Sequence, residues 1–369
     1  MNKLDAYIGL DVHKESIAVA IAESGREGEV RFYGNIPNSP AEIIKLVNKL
    51  SKKYVETEYT YEAGPCGYVI FRKLQALGQR CSVVAPSKIF SNLNNRKKND
   101  HRDAIALARL ARANELTQVW VPDEIHESIR DLVRARHAAN KDTKIAKQRI
   151  KSFLLKYDIN YVGKSWTYRH KLWLANLQFK NEAQQVAFQN YINALNQANN
   201  RKEQLEQQIL DIYPSWSLAP LVTALQALRG VALIIAVSVV AEVGDISRFD
   251  TPKQLMAFLG LIPGEHSSGN SVRPRGITKT GNKSLRFLLF EAAWSYRQRA
   301  KVGAYKLQHM PANIPQNIKD IAWKAQLRLR KRYIKLMTAG KKSTVAITAV
   351  ARELLGFMWA IANELNLAR

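Results

Sequence analysis

Cysteine is nearly missing from this chain: Cys66 and Cys81 are the only two in 369 residues. Two thiols cannot build a disulfide framework, and the pair fits a reducing cytoplasm. Long apolar runs are missing too. The longest, VALIIAVSVVA at 231–241, is interrupted by Ser238 and falls short of the about 18 apolar residues a bilayer-crossing helix needs. No basic-then-apolar leader opens the chain, so neither a signal peptide nor a membrane partner is expected. Acidic residues are scarce relative to basic ones, 31 against 56, which leaves a net charge of +25. A surplus that size concentrates polyanions around the protein and speeds encounter with phosphates, so nucleic acid is the expected partner. Apolar residues make up 46%, which is globular rather than disordered, and the length calls for two or three domains.

The first third alternates strand-like and helix-like segments. AYIGLDV (6–12), SIAVAIA (16–22) and EVRFYGNI (29–36) are closely joined and read as an antiparallel meander. SPAEIIKLVNKL (39–50) has a helix start and helical spacing. EYTYEAG (58–64) is a fourth strand, GYVIFRKLQALG (67–78) a helix and RCSVVAP (80–86) a fifth strand; a strongly helical Ala/Leu-rich segment begins at Asp100. The order βββ-α-β-α-β-α is that of an α/β, ribonuclease-H-like domain. This places an N-terminal domain at 1–122. From residue 123 the composition turns polar and helical. Two long antiparallel, coiled-coil-like helices are expected within 123–215, as a linker, and a mostly helical third domain at 216–369.

Within this basic chain the segment RKKNDHRDA (96–104) is an anomaly, because Asp100 and Asp103 sit among five Lys, Arg or His residues. Carboxylates weaken a polyanion-binding surface unless a cation stands between them and the ligand. Asp11 ends the first strand and Glu62 lies at the end of the fourth, so pairing of those strands makes them neighbours. Asp100 and Asp103, three apart at a helix start, project from one face. Four carboxylates converging on one point suit hard divalent cations, and two such ions support phosphodiester chemistry. Taken singly, Asp11 reads as a turn residue and Asp100 as a helix cap. His13 and His101, beside two of the acids, are expected to face solvent. Arg96, Lys97, Lys98 and Arg102 would hold phosphates on either side of the scissile one.

A second anomaly is GEHSSGNSVRPRGITKTG (264–281), read as a loop of small residues with Arg273, Arg275 and Lys279 suited to a phosphate. Ser267, Ser268 and Ser271 stand in it; a nucleophile there would need an activator from elsewhere, and an ordinary turn residue is the blander alternative. ALRGVALIIAVSVVAEVGD (227–245) resembles half of a helix-hairpin-helix but has Ala232 in place of the second glycine, so a buried core helix is the simpler reading. WKAQLRLRKRYIKL (323–336) and GKK (340–342) offer Arg328, Arg330, Lys331, Arg332, Lys341 and Lys342 to nucleic acid, with a solvated basic face as the alternative.

Asp11 in YIGLDVHK, Glu62 in EAGPCGY, KNDHRDA with Asp100 and Asp103, and LMAFLGLIPGEHSSG with Ser268 together resemble the DEDD insertion-sequence transposases of the IS110 family, to which pilin-gene invertases are related. The similarity covers nearly the whole chain. It implies an N-terminal RuvC-like domain, a helical middle and a C-terminal transposase domain. It implies a recombinase that excises and inserts an element, guided by a structured non-coding RNA (a bridge or seek RNA) that pairs with donor and target double-stranded DNA. Asp11, Glu62, Asp100 and Asp103 would bind Mg²⁺, two ions per site, and Ser268 would form a phosphoserine link to DNA. Composite sites in a tetramer of two dimers would bring the serine its activator, in the bacterial cytoplasm and on the nucleoid when DNA is bound. Asn99 stands where Thr is frequent in the family and Cys66 where Thr or Tyr is; neither removes a ligand, and the glycine that follows selects Ser268 over Ser267. In the middle helices, Arg134, Arg136, Lys144, Lys147 and Arg149 are RNA contacts on charge alone. The alternatives are a metal-dependent nuclease of the junction-resolving kind, with no serine intermediate, and a catalytically idle RNA-binding protein.

Overall fold

The structure, a computed structural model, describes residues 4–86, 99–268, 271–304, 308 and 310–367, without the side chains of 265–275 and 366–367. The chain forms two compact units, Met1–Val121 and Pro122–Arg369.

The first unit is organised by alternation in β2 (Ser16–Glu23), whose sequence SIAVAIAE steps between large and small apolar residues. Successive side chains in a strand point to opposite faces. Ile17, Val19 and Ile21 therefore join one core, and Ala18, Ala20 and Ala22 another. β1 (Ala6–Val12) and β3 (Val30–Pro37) flank β2 antiparallel, as the meander predicts. β4 (Thr57–Glu62) lies parallel to β1 with Leu10 opposite Tyr61, and β5 (Arg80–Val84) lies parallel to β4. The sheet order is β3-β2-β1-β4-β5.

The two faces are covered differently. α1 (Pro40–Leu50) is capped by Ser39, whose hydroxyl accepts the Glu42 N–H at 3.3 Å, and begins with Pro40. It brings Ile43, Leu46, Val47 and Leu50 to the large-residue face, where α2 (Val69–Ala76) adds Ile70 and Leu74. The opposite face receives α3 (Asp100–Arg112) through Ala104 and Ala108, both fully buried against the alanines of β2. Small residues on both sides let helix and sheet come close, and Gly9 of β1 marks the closest point. A Cβ there would lie 2.2 Å from the Ala104 carbonyl oxygen and 2.6 Å from the Ala108 nitrogen.

The second unit contains the two long helices anticipated from composition, α4 (Glu124–Lys156) and α6 (Glu182–Ile212), joined through α5 (Tyr168–Ala175). Arg136 pairs with Glu206, Asp142 with Arg201, and Phe153 stacks near Phe188, a descending register that makes the pair antiparallel. At the far end Ile150, Leu154, Leu174, Phe188 and Leu195 form a separate small core. At the near end Ile129, Val133 and Ile209 belong to the same core as the C-terminal helices, so no packing boundary falls at 215. Those helices are α7 (Ala219–Leu225), α8 (Leu233–Val243), α9 (Pro252–Phe258), α10 (Lys283–Ala293), α11 (Gln316–Thr338) and α12 (Ser343–Leu367). α8 is a buried core helix, with Val237, Val239 and Val240 fully enclosed. Gly230, ahead of it at φ +78°, abuts the Ala292 carbonyl too closely for any side chain.

Two expectations are corrected here. Ser343–Leu365 is long and apolar enough to cross a membrane, although the sequence reading found no such span. The helix instead buries Ile347, Val350, Ala351, Leu354, Leu355 and Met358 in the core, which accounts for its apolarity. The segment 264–281, read as a loop, contains an antiparallel hairpin of β6 (Pro263–Ser268) and β7 (Ser271–Ile277). Its small residues had masked the strand alternation.

The first unit rests most narrowly on Gly9, because both atoms that crowd its missing Cβ are backbone and cannot rotate away. Gly9→Ala should lower its stability by about 3 kcal/mol through overpacking. Amide exchange in β1 and β2 measures this; unchanged protection there would mean α3 does not lie so close.

Candidate metal centre and nucleic-acid surfaces

The close approach of α3 to β1 brings acids from distant parts of the sequence together. Asp11 is the sixth residue of β1, and the Leu10–Tyr61 pairing puts Glu62, the last residue of β4, one step further along beside it. Adjacent strands run ~4.8 Å apart. Asp100 and Asp103 occupy the first turn of α3, which Asn99 caps by accepting the His101 N–H at 3.1 Å. Acidic side chains in a first turn also complement the positive end of the helix dipole.

The tightest group is Asp11, His13 and Asp100, which each offer one ligand atom, all within 4.8 Å of one another. His13 Nε2 lies 3.3 Å from Asp11 Oδ2 and 3.4 Å from Asp100 Oδ1. The histidine was expected to face solvent, and this is corrected: it is 41% exposed but aimed at the acids. Alternation explains why, since Asp11 and His13 are two apart at the end of an extended segment and so share a side. That spacing was readable in the sequence. The turn holding His13 is fixed by the backbone, with its N–H donated to the Ser16 carbonyl at 2.9 Å and its carbonyl accepting from Asn38 Nδ2 at 2.8 Å. His101 behaves differently and sets its ring edge-on to Phe32 at 4.2 Å.

Electrostatics mark Asp11 as the strained member. Burial pushes its carboxyl above the ordinary carboxylate value; His13 opposes this, while the negative charges of Asp100 and Asp103 add to it. Asp103 is therefore within electrostatic reach, one helical turn from Asp100. Every ligating atom offered by the four acids is a carboxylate oxygen, the donor that Mg²⁺ and similar hard cations prefer.

Arg96, Lys97 and Lys98 lie outside the described residues, and Arg102 is exposed on α3. Ser268 ends β6 in the second unit, paired in register with Ser271; Arg273 and Arg275 lie in β7, and these side chains are outside the description. Lys279 is exposed and adopts φ +60°. Arg134 forms a two-pronged bond to Glu242 at 2.8 and 2.9 Å, and Arg136 is half-buried against Glu206. Lys144 sits 4.6 Å over the Phe287 ring, and Lys147 lies 5.3 Å over Trp166. Burial holds the Lys147 ammonium below its usual range, helped by Lys202 and Lys171. Arg149 remains exposed. Arg328 and Arg332 share Glu353, whereas Lys331, Lys341 and Lys342 are exposed and Arg330 is half-buried. The structure thus spends several cations on internal partners that composition could not reveal.

Comparison with known proteins gives matches over two stretches of the chain. Residues 8–159 match a family model described as a transposase, and residues 222–308 match one described as the transposase IS116/IS110/IS902 family. The chain is similar to the putative transposase y4qE of Sinorhizobium fredii, 48% identical over 361 residues and covering 98% of this chain and 89% of that protein. It is also similar to the transposase for insertion sequence element IS1533 of Leptospira borgpetersenii, at 31% identity over 92% of this chain and 99% of that one.

The raised Asp11 carboxyl has a consequence in metal-free solution. An acid whose folded pKa exceeds its unfolded value costs stability once pH rises above the unfolded value, near 3.8, and costs nothing below it. Asp11→Asn should therefore raise the midpoint of thermal unfolding in EDTA at pH 7, and the gain should vanish below about pH 4. A gain independent of pH, or a loss at pH 7, would contradict the crowding of charge described here.

Proposed function

Because the chain belongs to the IS116/IS110/IS902 family of transposases, we propose that it is an RNA-guided recombinase that excises and integrates an insertion sequence through a serine-linked DNA intermediate. The observation that carries this reading is the meeting of Asp11 and Asp100, from a strand and a helix far apart in sequence, around one point. The N-terminal unit is read as a RuvC-like domain, a reading supported by the strand order and by acids at the ends of its first and fourth strands.

Asp11, Glu62, Asp100 and Asp103 would hold Mg²⁺, and their oxygen donors and the raised Asp11 carboxyl fit a dication that neutralises the crowding. When bound, Mg²⁺ draws charge from the phosphate oxygens and makes phosphorus easier to attack. Ser268 supplies the nucleophile. Its Oγ bonds to phosphorus as the bond from phosphorus to one deoxyribose oxygen breaks; the serine proton ends on that oxygen, which leaves as a free hydroxyl end. A hydroxyl end of another strand reverses the substitution, rejoins the DNA and frees the serine. As the family resemblance implies, the reading includes composite sites in a tetramer of two dimers, which would bring Ser268 of one protomer to the acids of another. The exposed cations Arg102, Arg149, Lys279, Lys331, Lys341 and Lys342 would contact phosphates of DNA or of a guide RNA, in keeping with the +25 charge.

Ser268→Ala separates this reading from a plain metal nuclease. With labelled DNA carrying the element's junction, the wild type should form a protein–DNA adduct that survives denaturation, and the variant should form none and lose strand transfer by at least about 1000-fold. Continued cleavage by the variant would favour the nuclease. Loss of cleavage in Asp11→Asn is expected as well, and its retention would favour a protein that only binds nucleic acid.

A further inference from the structure

The acids are not alone at their meeting point, and His13 raises a question that the four-carboxylate scheme leaves open. Its Nε2 is nearly equidistant from Asp11 Oδ2 and Asp100 Oδ1, at 3.3 and 3.4 Å. One ring nitrogen carries at most one proton, so it can serve only one of the two carboxylates at a time. Both separations also exceed the ~2.9 Å typical of a nitrogen–oxygen hydrogen bond. A cation at the common centre satisfies all three atoms at once, the imidazole through its lone pair and the carboxylates through their charge. The His13 N–H donated to the Ser16 carbonyl and its carbonyl accepting from Asn38 Nδ2 fix the main chain that carries the ring.

We propose that His13 is itself a ligand of the cation held by Asp11 and Asp100, so that this position is a mixed nitrogen–oxygen site selective for Mn²⁺ over Mg²⁺. The inference rests on the metal-dependent reading above and adds to it a residue and a preference. Imidazole is a softer donor than carboxylate and suits transition ions, and divalent affinity rises from the alkaline-earth metals into the first transition row. Glu62 and Asp103, outside the tight group, are left to complete the sphere or to hold a second ion with oxygen alone, where Mg²⁺ is at no disadvantage. His13 would then make the two positions unequal. Its own side must be neutral and unprotonated at Nε2, which puts the ring proton on Nδ1.

Pulsed electron paramagnetic resonance of Mn²⁺ bound to the purified full-length protein tests this without any reliance on activity. The wild type should show nitrogen-14 modulation from a directly bonded imidazole, and His13→Ala should lose it. In competition, the wild type should prefer Mn²⁺ to Mg²⁺ by at least about tenfold, and His13→Ala should weaken Mn²⁺ by about 10–100-fold while changing Mg²⁺ little. His13→Gln, which restores an oxygen donor, should recover binding but not the modulation. Mn²⁺ bound in an Asp11-dependent way with no nitrogen signal, or with a signal that persists in His13→Ala, would overturn the role of His13 and leave the metal reading standing. Absence of any Asp11-dependent Mn²⁺ or Mg²⁺ binding would overturn both.

Discussion

The contact on which the first unit depends is the approach of α3 to the sheet at Gly9. A helix normally rests on a sheet through a layer of side chains, but here the layer is thinned to alanines and, at its closest, to nothing. Ala18, Ala20 and Ala22 on β2 meet Ala104 and Ala108 on α3, and Gly9 lets the helix backbone reach β1. That short distance gives the acids their geometry. Asp11 lies two residues past Gly9, and Asp100 one turn before Ala104, so the small-residue contact is the fulcrum that carries both carboxylates to one place. Arg112 fastens the other end of the helix by donating to the Glu23 and Gly28 carbonyls at 3.1 and 2.8 Å.

Bringing like charges together opposes folding, and the protein offsets this in three ways. The site is left partly open to water. The two aspartates of α3 sit where the helix dipole favours negative charge. His13 stands between Asp11 and Asp100 as an internal partner. Among the basic residues, Arg134, Arg136, Arg328 and Arg332 are committed to glutamates, so fewer individual cations are available to phosphates than the composition suggests, while the net charge, which already counts those glutamates, is unchanged.

Much of the first unit was legible in the sequence because its signals are local. The β-rich run SIAVAIA, the Ser-Pro start of α1 and the Ala/Leu-rich segment from Asp100 each declare an element, and their order declares the topology; that Asn99 rather than Asp100 caps α3 came only from the structure. The pairing of Asp11 with Glu62 followed once the fourth strand was placed beside the first. What could not be read depends on contacts between distant residues. His13 was assigned to solvent because its partner Asp100 lies 87 positions away, although its two-residue spacing from Asp11 hinted at a shared side. The ion pairs of Arg134 and Arg136 cross from one helix to another and leave no mark on local sequence. The hairpin at 263–277 was hidden by glycines and serines that favour turns, and the apolar length of α12 was missed because polar residues such as Thr348 and the Arg352–Glu353 pair break it into shorter apolar runs.

The central claim is that side chains on β1 and α3 surround a divalent cation. Anomalous diffraction from crystals grown with Mn²⁺ tests it most directly. The account predicts a peak within about 2.6 Å of carboxylate oxygens from both Asp11 and Asp100. Well-ordered crystals in saturating Mn²⁺ with no peak there, or with those two carboxylates turned apart, would contradict it.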